Sequence, residues 1–256
     1  MKVLKFRLWG ENAFFKKPDV NTYLYFTYSN IHKIALLGML GAIVGYKGYN
    51  QMSRKNDEAK SKNLKEDFIA YPEFYEKLKD ILVAIEPEEG SRGDFPKKVQ
   101  IFNNSVGYAS QEQGGNLIIK EQWLEKPSWN IYVLVDSKDT EKICDYITNC
   151  KSVFIPYLGK NDHMANIDEI EIYEVEKADD EIEAIDSLCP KSYVNFGDMV
   201  ADMNYKPYKY KENLPIRLNE KTNMYEYETF IYTNMEIEDI NTDKIYTVGN
   251  KNIAFF

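Results

Sequence analysis

Cysteine and histidine are scarce in this chain. Among 256 residues there are three cysteines, Cys144, Cys150 and Cys189, and two histidines, His32 and His163. They are too few and too scattered for a disulfide framework or a four-ligand zinc site, so a reducing compartment is expected. Long apolar runs are missing as well. Ile34 to Val44 spans 11 residues, and extending it from Ile31 to Tyr46 takes in His32 and Lys33, against the roughly 20 residues that a bilayer span requires. The first residues, M1-K-V-L-K-F-R-L-W9, alternate apolar and charged side chains and lack the apolar core and cleavage site of a signal peptide. A cytoplasmic address without a membrane is the expectation. Absent too is the aromatic K/R-G-F/Y-G/A-F-V signature of freestanding RNA-recognition modules, which argues against autonomous sequence reading.

What the chain does hold is 44% apolar residues with 14% aromatics, enough for a substantial core in one large domain or two modest ones. Its net charge of −9 is unevenly spread. Residues 1–65 carry 12 Lys+Arg against 4 Asp+Glu, or +8, whereas residues 131–256 carry 13 against 25, or −12. One reading is a basic half facing a polyanion and an acidic half facing solvent or a protein; the other is ordinary solvated surface.

The stretch Ser29 to Tyr49 predicts a buried helix over residues 29–46. Ser29 is the expected N-cap, Ile34, Leu37, Leu40 and Val44 follow helical spacing, and Gly48 is the expected stop. Gly38, Gly41 and Gly45 fall on one face of that helix, each costing up to about 1 kcal/mol relative to alanine. Something is expected to approach them closely, either a packed strand or the backbone of a protein or RNA.

The rest reads as alternating segments. Strands are expected at 2–8, 81–86, 99–108, 117–124, 129–135 and 167–175, with helices at 70–79 and 137–148. Pro87 is expected to break its strand, and Q111-E-Q-G-G-N116 to turn a hairpin. Strand, helix, strand, strand, helix, strand is the ferredoxin-like order, interrupted by a hairpin excursion at about 91–128 that carries Lys97, Lys98, Lys120 and Trp123. The expected class is α+β, with a core over 1–176 and a β-rich extension over 177–256.

Four further segments carry a resemblance. G10-E-N-A-F-F-K-K-P18, T22-Y-L-Y-F-T-Y-S29 leading into L36-L-G-M-L-G-A-I-V-G45, L124-E-K-P-S-W-N-I-Y-V133 and F154-I-P-Y-L-G-K-N-D-H163 resemble, in this order and spacing, the CRISPR-associated subunit family numbered five in its type I-B form. The resemblance covers about residues 1–170. It implies a RAMP-superfamily protein with a ferredoxin-like, RRM-related core and a hairpin thumb, acting without cofactor in the Cascade surveillance complex. Such subunits hold the 5′ handle of the CRISPR RNA, cap the filament of backbone subunits, and contact the large subunit that recognises target DNA. Lys16, Lys17, Lys47 and Lys160 would then meet RNA phosphates, with Lys97, Lys98, Lys120 and Trp123 on the thumb. Gly38, Gly41, Gly45 and Gly159 would admit RNA or a neighbouring chain. The alternative implied by the type I-C branch is metal-independent cleavage of precursor RNA. Here no lysine-histidine dipeptide follows the thumb, and His32, His163 and Tyr46 are the remaining candidates for acid-base work. The expectation is binding without catalysis. Asn161 to His163, Asp168 with Glu169, and Asp179 to Glu181 are acidic clusters for which a solvated face is the expected role.

Overall fold

The computed structural model describes residues 1–20, 22–62, 64, 68–88, 90–178, 182–197 and 206–256; the Asp179 to Glu181 run lies outside them. The chain begins with β1 (Lys2–Trp9) and β2 (Asn12–Ala13), then passes through helices α1 (Lys33–Val44), α2 (Tyr49–Ser61) and α3 (Glu73–Leu78) to β3 (Val83–Pro87). A hairpin of β4 (Lys97–Asn103) and β5 (Ile118–Glu125) precedes β6 (Ser128–Val135), α4 (Lys138–Thr148) and β7 (Asn166–Glu174). The remaining strands are β8 (Glu176–Lys177), β9 (Cys189–Pro190), β10 (Val194–Phe196), β11 (Lys209–Leu218), β12 (Tyr225–Thr233), β13 (Ile237–Ile240), β14 (Ile245–Val248) and β15 (Lys251–Ala254).

β1 alternates, and the alternation fixes its place. Leu4, Phe6 and Leu8 are fully buried on one face, while Lys5, Arg7 and Trp9 point to the other. It lies in a four-stranded antiparallel sheet of order β3-β6-β1-β7, with α1 following β1 and α4 following β6. The apolar face joins Ile131 and Val133 of β6 to Leu36, Leu37 and Leu40 of α1 and to Ile143 and Ile147 of α4. Each such side chain contributes about 1.5–3 kcal/mol by leaving water.

The C-terminal strands hold a small cluster of their own, Ile185, Cys189, Val194, Ile245 and Ala254, and also join the core of the first sheet. Leu214, Leu218, Phe230, Tyr232 and Phe256 belong to the same cluster as β1 and α1. Tyr246, Val248, Ile253 and Phe255 cover Val3, Ala84, Tyr132 and Leu134 on the opposite face of the sheet. Sandwiched in this way, α1 is apolar nearly all round rather than along one stripe. No helix among the described residues is long and apolar enough to cross a membrane.

Several boundaries differ from the expectation. α1 begins at Lys33, capped by His32, whose Nδ1 accepts the Ala35 amide at 3.3 Å; Ser29 is instead held through its own amide by Glu212 at 3.1 Å. The helix stops at Gly45, not Gly48, because Gly45 takes the left-handed conformation at φ 86° that closes a helix end. α2 was not expected, since only Ala59 on it is buried and no apolar stripe marks it. Pro87 closes β3 without breaking it, as an edge strand tolerates a missing donor.

The close approach to the glycine helix comes from α3. A methyl group at Gly41 would lie 2.5 Å from Cβ of Phe74, and one at Gly38 3.8 Å from its ring. The space is therefore taken by an aromatic side chain of this chain, not by a strand or by RNA. At Gly45 the neighbour is Val153, which a methyl would meet at 2.9 Å.

Candidate nucleic-acid interface

Strand register pairs the three cations of β1 with carboxylates of β7. β1 and β7 run antiparallel with Lys2 opposite Glu174, Lys5 opposite Glu171 and Arg7 opposite Asp168. Ion pairs follow at 3.8 Å, 3.2 Å and 2.7 Å respectively. A bulge at Glu169, with φ 48°, brings its carboxylate within 3.0 Å of Arg7 as well. Asp168, gripped by Arg7 and bonded by the Trp9 indole at 3.0 Å, is held below the ordinary carboxylate range. The basic first third is thus no free polyanion surface along β1. Of the two readings of the charge count, β1 fits the second, ordinary surface.

The four segments that carry the family resemblance meet at the base of the β4–β5 hairpin. Gly10 donates to the Pro127 carbonyl at 3.2 Å, Phe14 to Leu158 at 3.1 Å, Lys17 to Phe26 at 2.8 Å and Tyr28 to Phe15 at 2.9 Å. β2 pairs with β5 at Ala13 and Leu124, and Tyr25 lies alongside Glu121 of β5. Gly159 is obligatory here. Its φ is 85°, and a methyl would fall 1.9 Å from the Phe14 carbonyl oxygen. The close approach it permits is made by the chain's own backbone.

At the centre of this base sits a cluster of lysines and aromatic rings. Buried Glu121 accepts the Trp123 indole at 2.7 Å and the Lys160 ammonium at 2.9 Å, both on Oε2. Lys160 lies 4.9 Å from the Phe102 ring and 5.3 Å from Trp123, with Lys98 at 6.0 Å on the same indole. His163 stands edge-on to Trp123 at 4.4 Å. It is 3% exposed, neither ring nitrogen has a partner, and burial pushes its pKa down. Glu121 and Phe102 carry this cluster with the expected residues but have no sequence signature of their own.

Register divides the expected hairpin residues between two faces. Lys98 is opposite Trp123 and Gln100 opposite Glu121, whereas Ile101 is opposite Lys120 and Val99 opposite Gln122. Because side chains alternate, Lys98 and Trp123 share one face and Lys120 lies on the other, beside exposed Val99 and Ile101. The remaining candidates are dispersed. Lys97 pairs with Asp94, and Lys17 with Glu212 at 2.7 Å; these groups line an open cleft of about 770 Å³ with Tyr28 and Tyr210. Lys16 sits 3.8 Å over the Tyr25 ring. Lys47 lines a separate recess of about 440 Å³ beside α2 and α3, far in the chain from the hairpin.

Two of the groups considered for acid-base work, Tyr46 and His32, are engaged otherwise. Tyr46 donates to Asp139, and burial with this bond raises its pKa. His32 is fully enclosed among Phe15, Tyr28 and Tyr225, and burial lowers its pKa to about 3. Asp168 and Glu169 both serve Arg7.

No protein-family model and no curated protein matches the chain. Among solved structures it is similar to a chain described as a CRISPR RNA-guided surveillance complex, at 11% identity and a TM-score of 0.49, over 93% of this chain and 91% of that one. It is likewise similar to a CRISPR protein from Archaeoglobus fulgidus, at 12% identity and a TM-score of 0.49, over 99% and 98%. A third similar chain is from a Type III-B Cmr-beta complex bound to cognate target RNA, at 12% identity and a TM-score of 0.44, over 93% and 86%.

Proposed function

We propose that this chain is a non-catalytic, RNA-holding subunit of a type I CRISPR surveillance complex, resembling the family numbered five of the RAMP superfamily. In this reading it grips the 5′ handle of the CRISPR RNA, caps the filament of backbone subunits, and meets the large subunit, through which it serves target DNA recognition indirectly. The observation that carries the reading is the convergence of segments 10–18, 22–29, 124–133 and 154–163 on the hairpin base, where Trp123, Lys98 and Lys160 gather. Segments scattered over the chain carry the resemblance, and they build one surface. The sheet order β3-β6-β1-β7 with its two crossover helices supports a ferredoxin-like reading of the core.

An aromatic ring flanked by lysines suits a single strand, because every base offers a π face and every linkage a phosphate. The hairpin is the thumb of this reading. Absence of catalysis is supported by the two histidines being enclosed and by Tyr46 donating a hydrogen bond to Asp139. The test is to mix purified protein with repeat-containing precursor RNA and with its 5′ handle, in chelator and in magnesium. Handle binding with intact precursor is expected. Specific cleavage at the repeat, or equal affinity for an unrelated RNA of the same length, would overturn the proposal.

A further inference from the structure

The outer strand of the hairpin is open. Among the described residues β4 pairs only with β5, which lies between it and β2. The ladder tells which of its backbone groups are free. The Asn104 amide bonds the Leu117 carbonyl and the Glu125 amide bonds the Pro96 carbonyl, each at 2.8 Å, and both pairs continue the β4–β5 register at even-numbered positions of this segment. Bonding alternates along an antiparallel pair, so Lys98, Gln100 and Phe102 bond inward to β5, while Lys97, Val99, Ile101 and Asn103 turn their N–H and C=O groups outward.

Little on the strand blunts this edge. Proteins usually guard one with charge, proline or a bulge, but β4 contains no proline and its register with β5 is unbroken from Lys97 to Asn103. Its lysines stand only at the first two positions, and Lys97 is drawn back to Asp94. Val99 and Ile101, at the middle of the outward row, are each more than half exposed, as is Ile118 beside them on β5.

The strand is also complementary to itself. Laid antiparallel against a second copy and centred on Gln100, it sets Lys97 opposite Asn103, Val99 opposite Ile101 and Lys98 opposite Phe102, each twice. This register joins every outward residue of both copies, and shifted ones leave outward groups unpaired at the ends. No lysine faces a lysine, the cation at 98 meets an aromatic ring, and the apolar pair forms a row across the two-fold axis. The foot of the edge has room. Asp94 and Lys97 line the open cleft of about 770 Å³, which receives the chain that continues past Asn103 of the second copy.

We propose that β4 is a self-association edge, through which two copies of the free chain join by a two-fold antiparallel β4–β4 pair. A pair of seven-residue strands is a small interface, so the dimer is weak, with a Kd above about 1 µM. The edge is separate from the face of Trp123, and the proposal does not rest on the RNA-handle reading.

The test follows the mass of the full-length protein by sedimentation equilibrium from about 1 µM to about 1 mM, where a monomer–dimer equilibrium is expected. Ile101→Lys sets an ammonium against Val99 of the second copy and should weaken the dimer at least about tenfold. Ile118→Lys, as exposed but one strand inside the edge, should shift it less than about threefold. Val99→Pro removes one outward N–H and no bond to β5, so it should weaken the dimer too, and it replaces Ile101→Lys if circular dichroism shows that variant unfolded. Cross-linking reads the register. With exposed Cys150 changed to serine, Gln100→Cys faces its own copy across the axis in a non-hydrogen-bonded pair, about 4.5 Å apart at Cα, and should give a reducible dimer under mild oxidation; Ile118→Cys should not. A monomer at every concentration, as an edge reserved for another protein's strand would give, overturns the proposal. So does a dimer indifferent to Ile101→Lys and Val99→Pro, or equal cross-linking of Gln100→Cys and Ile118→Cys.

Discussion

Arg7 grips Asp168 through two parallel bonds, Nε to Oδ1 at 2.7 Å and Nη2 to Oδ2 at 2.8 Å, across strands that lie 161 residues apart in sequence. The pair ties the first strand of the sheet to its edge, and it removes a guanidinium from the surface available to RNA. Arg7→Gln is therefore expected to leave affinity for the handle RNA within about twofold, as a residue making no phosphate contact should. It should also make the protein less acid-resistant. Asp168 titrates below its ordinary value in the folded state, so its contribution is present above the unfolded pKa and is lost as pH falls through the folded one. Without Arg7 the carboxyl returns toward the ordinary range, and the acid-unfolding midpoint should move to higher pH. A large loss of RNA affinity would return β1 to the interface.

Gly41 and Phe74 provide a second test, one of packing. Gly41→Ala places a methyl 2.5 Å from Phe74 Cβ, next to backbone that cannot swing aside, and a cost of about 1–3 kcal/mol is expected. Phe74→Ala alone opens a cavity, at about 3–5 kcal/mol. Because the two residues share one space, the double variant should be less destabilised in urea than the sum of the singles. Strict additivity would mean that α3 does not press on the glycine face.

Much of the sheet could be read directly from the sequence. β1 and β7 alternate, α4 announces itself with Ser137 and an amphipathic run, and the turn between β4 and β5 is rich in glycine. What could not be read depended on distance in sequence. Ser29 looked like a cap until Glu212, 183 residues on, claimed its amide, and the partners of the β1 cations became legible only when β7 supplied their counter-charges. α2 was hidden for the opposite reason: apart from Tyr49, Met52 and Ala59 its sequence is polar, and a helix that buries so little leaves only a faint periodic trace. The hairpin residues were grouped by proximity, although period-two alternation already separates Lys120 from Trp123 within β5.

His32 should set part of the acid sensitivity. Its folded pKa is about 3, against 6.5 for the free side chain, because the imidazole is enclosed and caps α1 in its neutral form. Below pH 6.5 the unfolded chain takes up a proton that the folded chain refuses, so stability falls as pH drops, by up to about 1.4 kcal/mol per unit from this group. His32→Asn keeps a capping acceptor but cannot titrate. Urea midpoints between pH 7 and pH 4.5 should therefore fall less steeply in the variant, by about one proton. Parallel slopes would show that the enclosed imidazole is protonated in the folded state.

The two faces of the β4–β5 hairpin allow the RNA path to be located. Lys160 is a poor probe, since removing it strips buried Glu121 of its cation and should cost about 1–3 kcal/mol before RNA is added. Lys98 and Lys120 are better. Lys98 makes a long 3.6 Å pair with half-exposed Glu125, which a phosphate can displace, and Lys120 is exposed on the opposite face. If RNA lies along the face of Trp123, Lys98→Ala should lower the salt slope of handle binding by about 0.7, the share of one single-strand contact, while Lys120→Ala leaves it unchanged. Trp123→Phe keeps a ring beside His163 while removing the indole bond to Glu121, so binding should weaken less than in Trp123→Ala, where about 1–3 kcal/mol of stacking per base is at stake. Salt titrations of the four variants, with urea curves to exclude unfolding, separate these effects. A slope that falls with Lys120→Ala and not with Lys98→Ala would move the RNA to the face of Val99 and Ile101, and leave Trp123 as the hydrophobic footing of the hairpin.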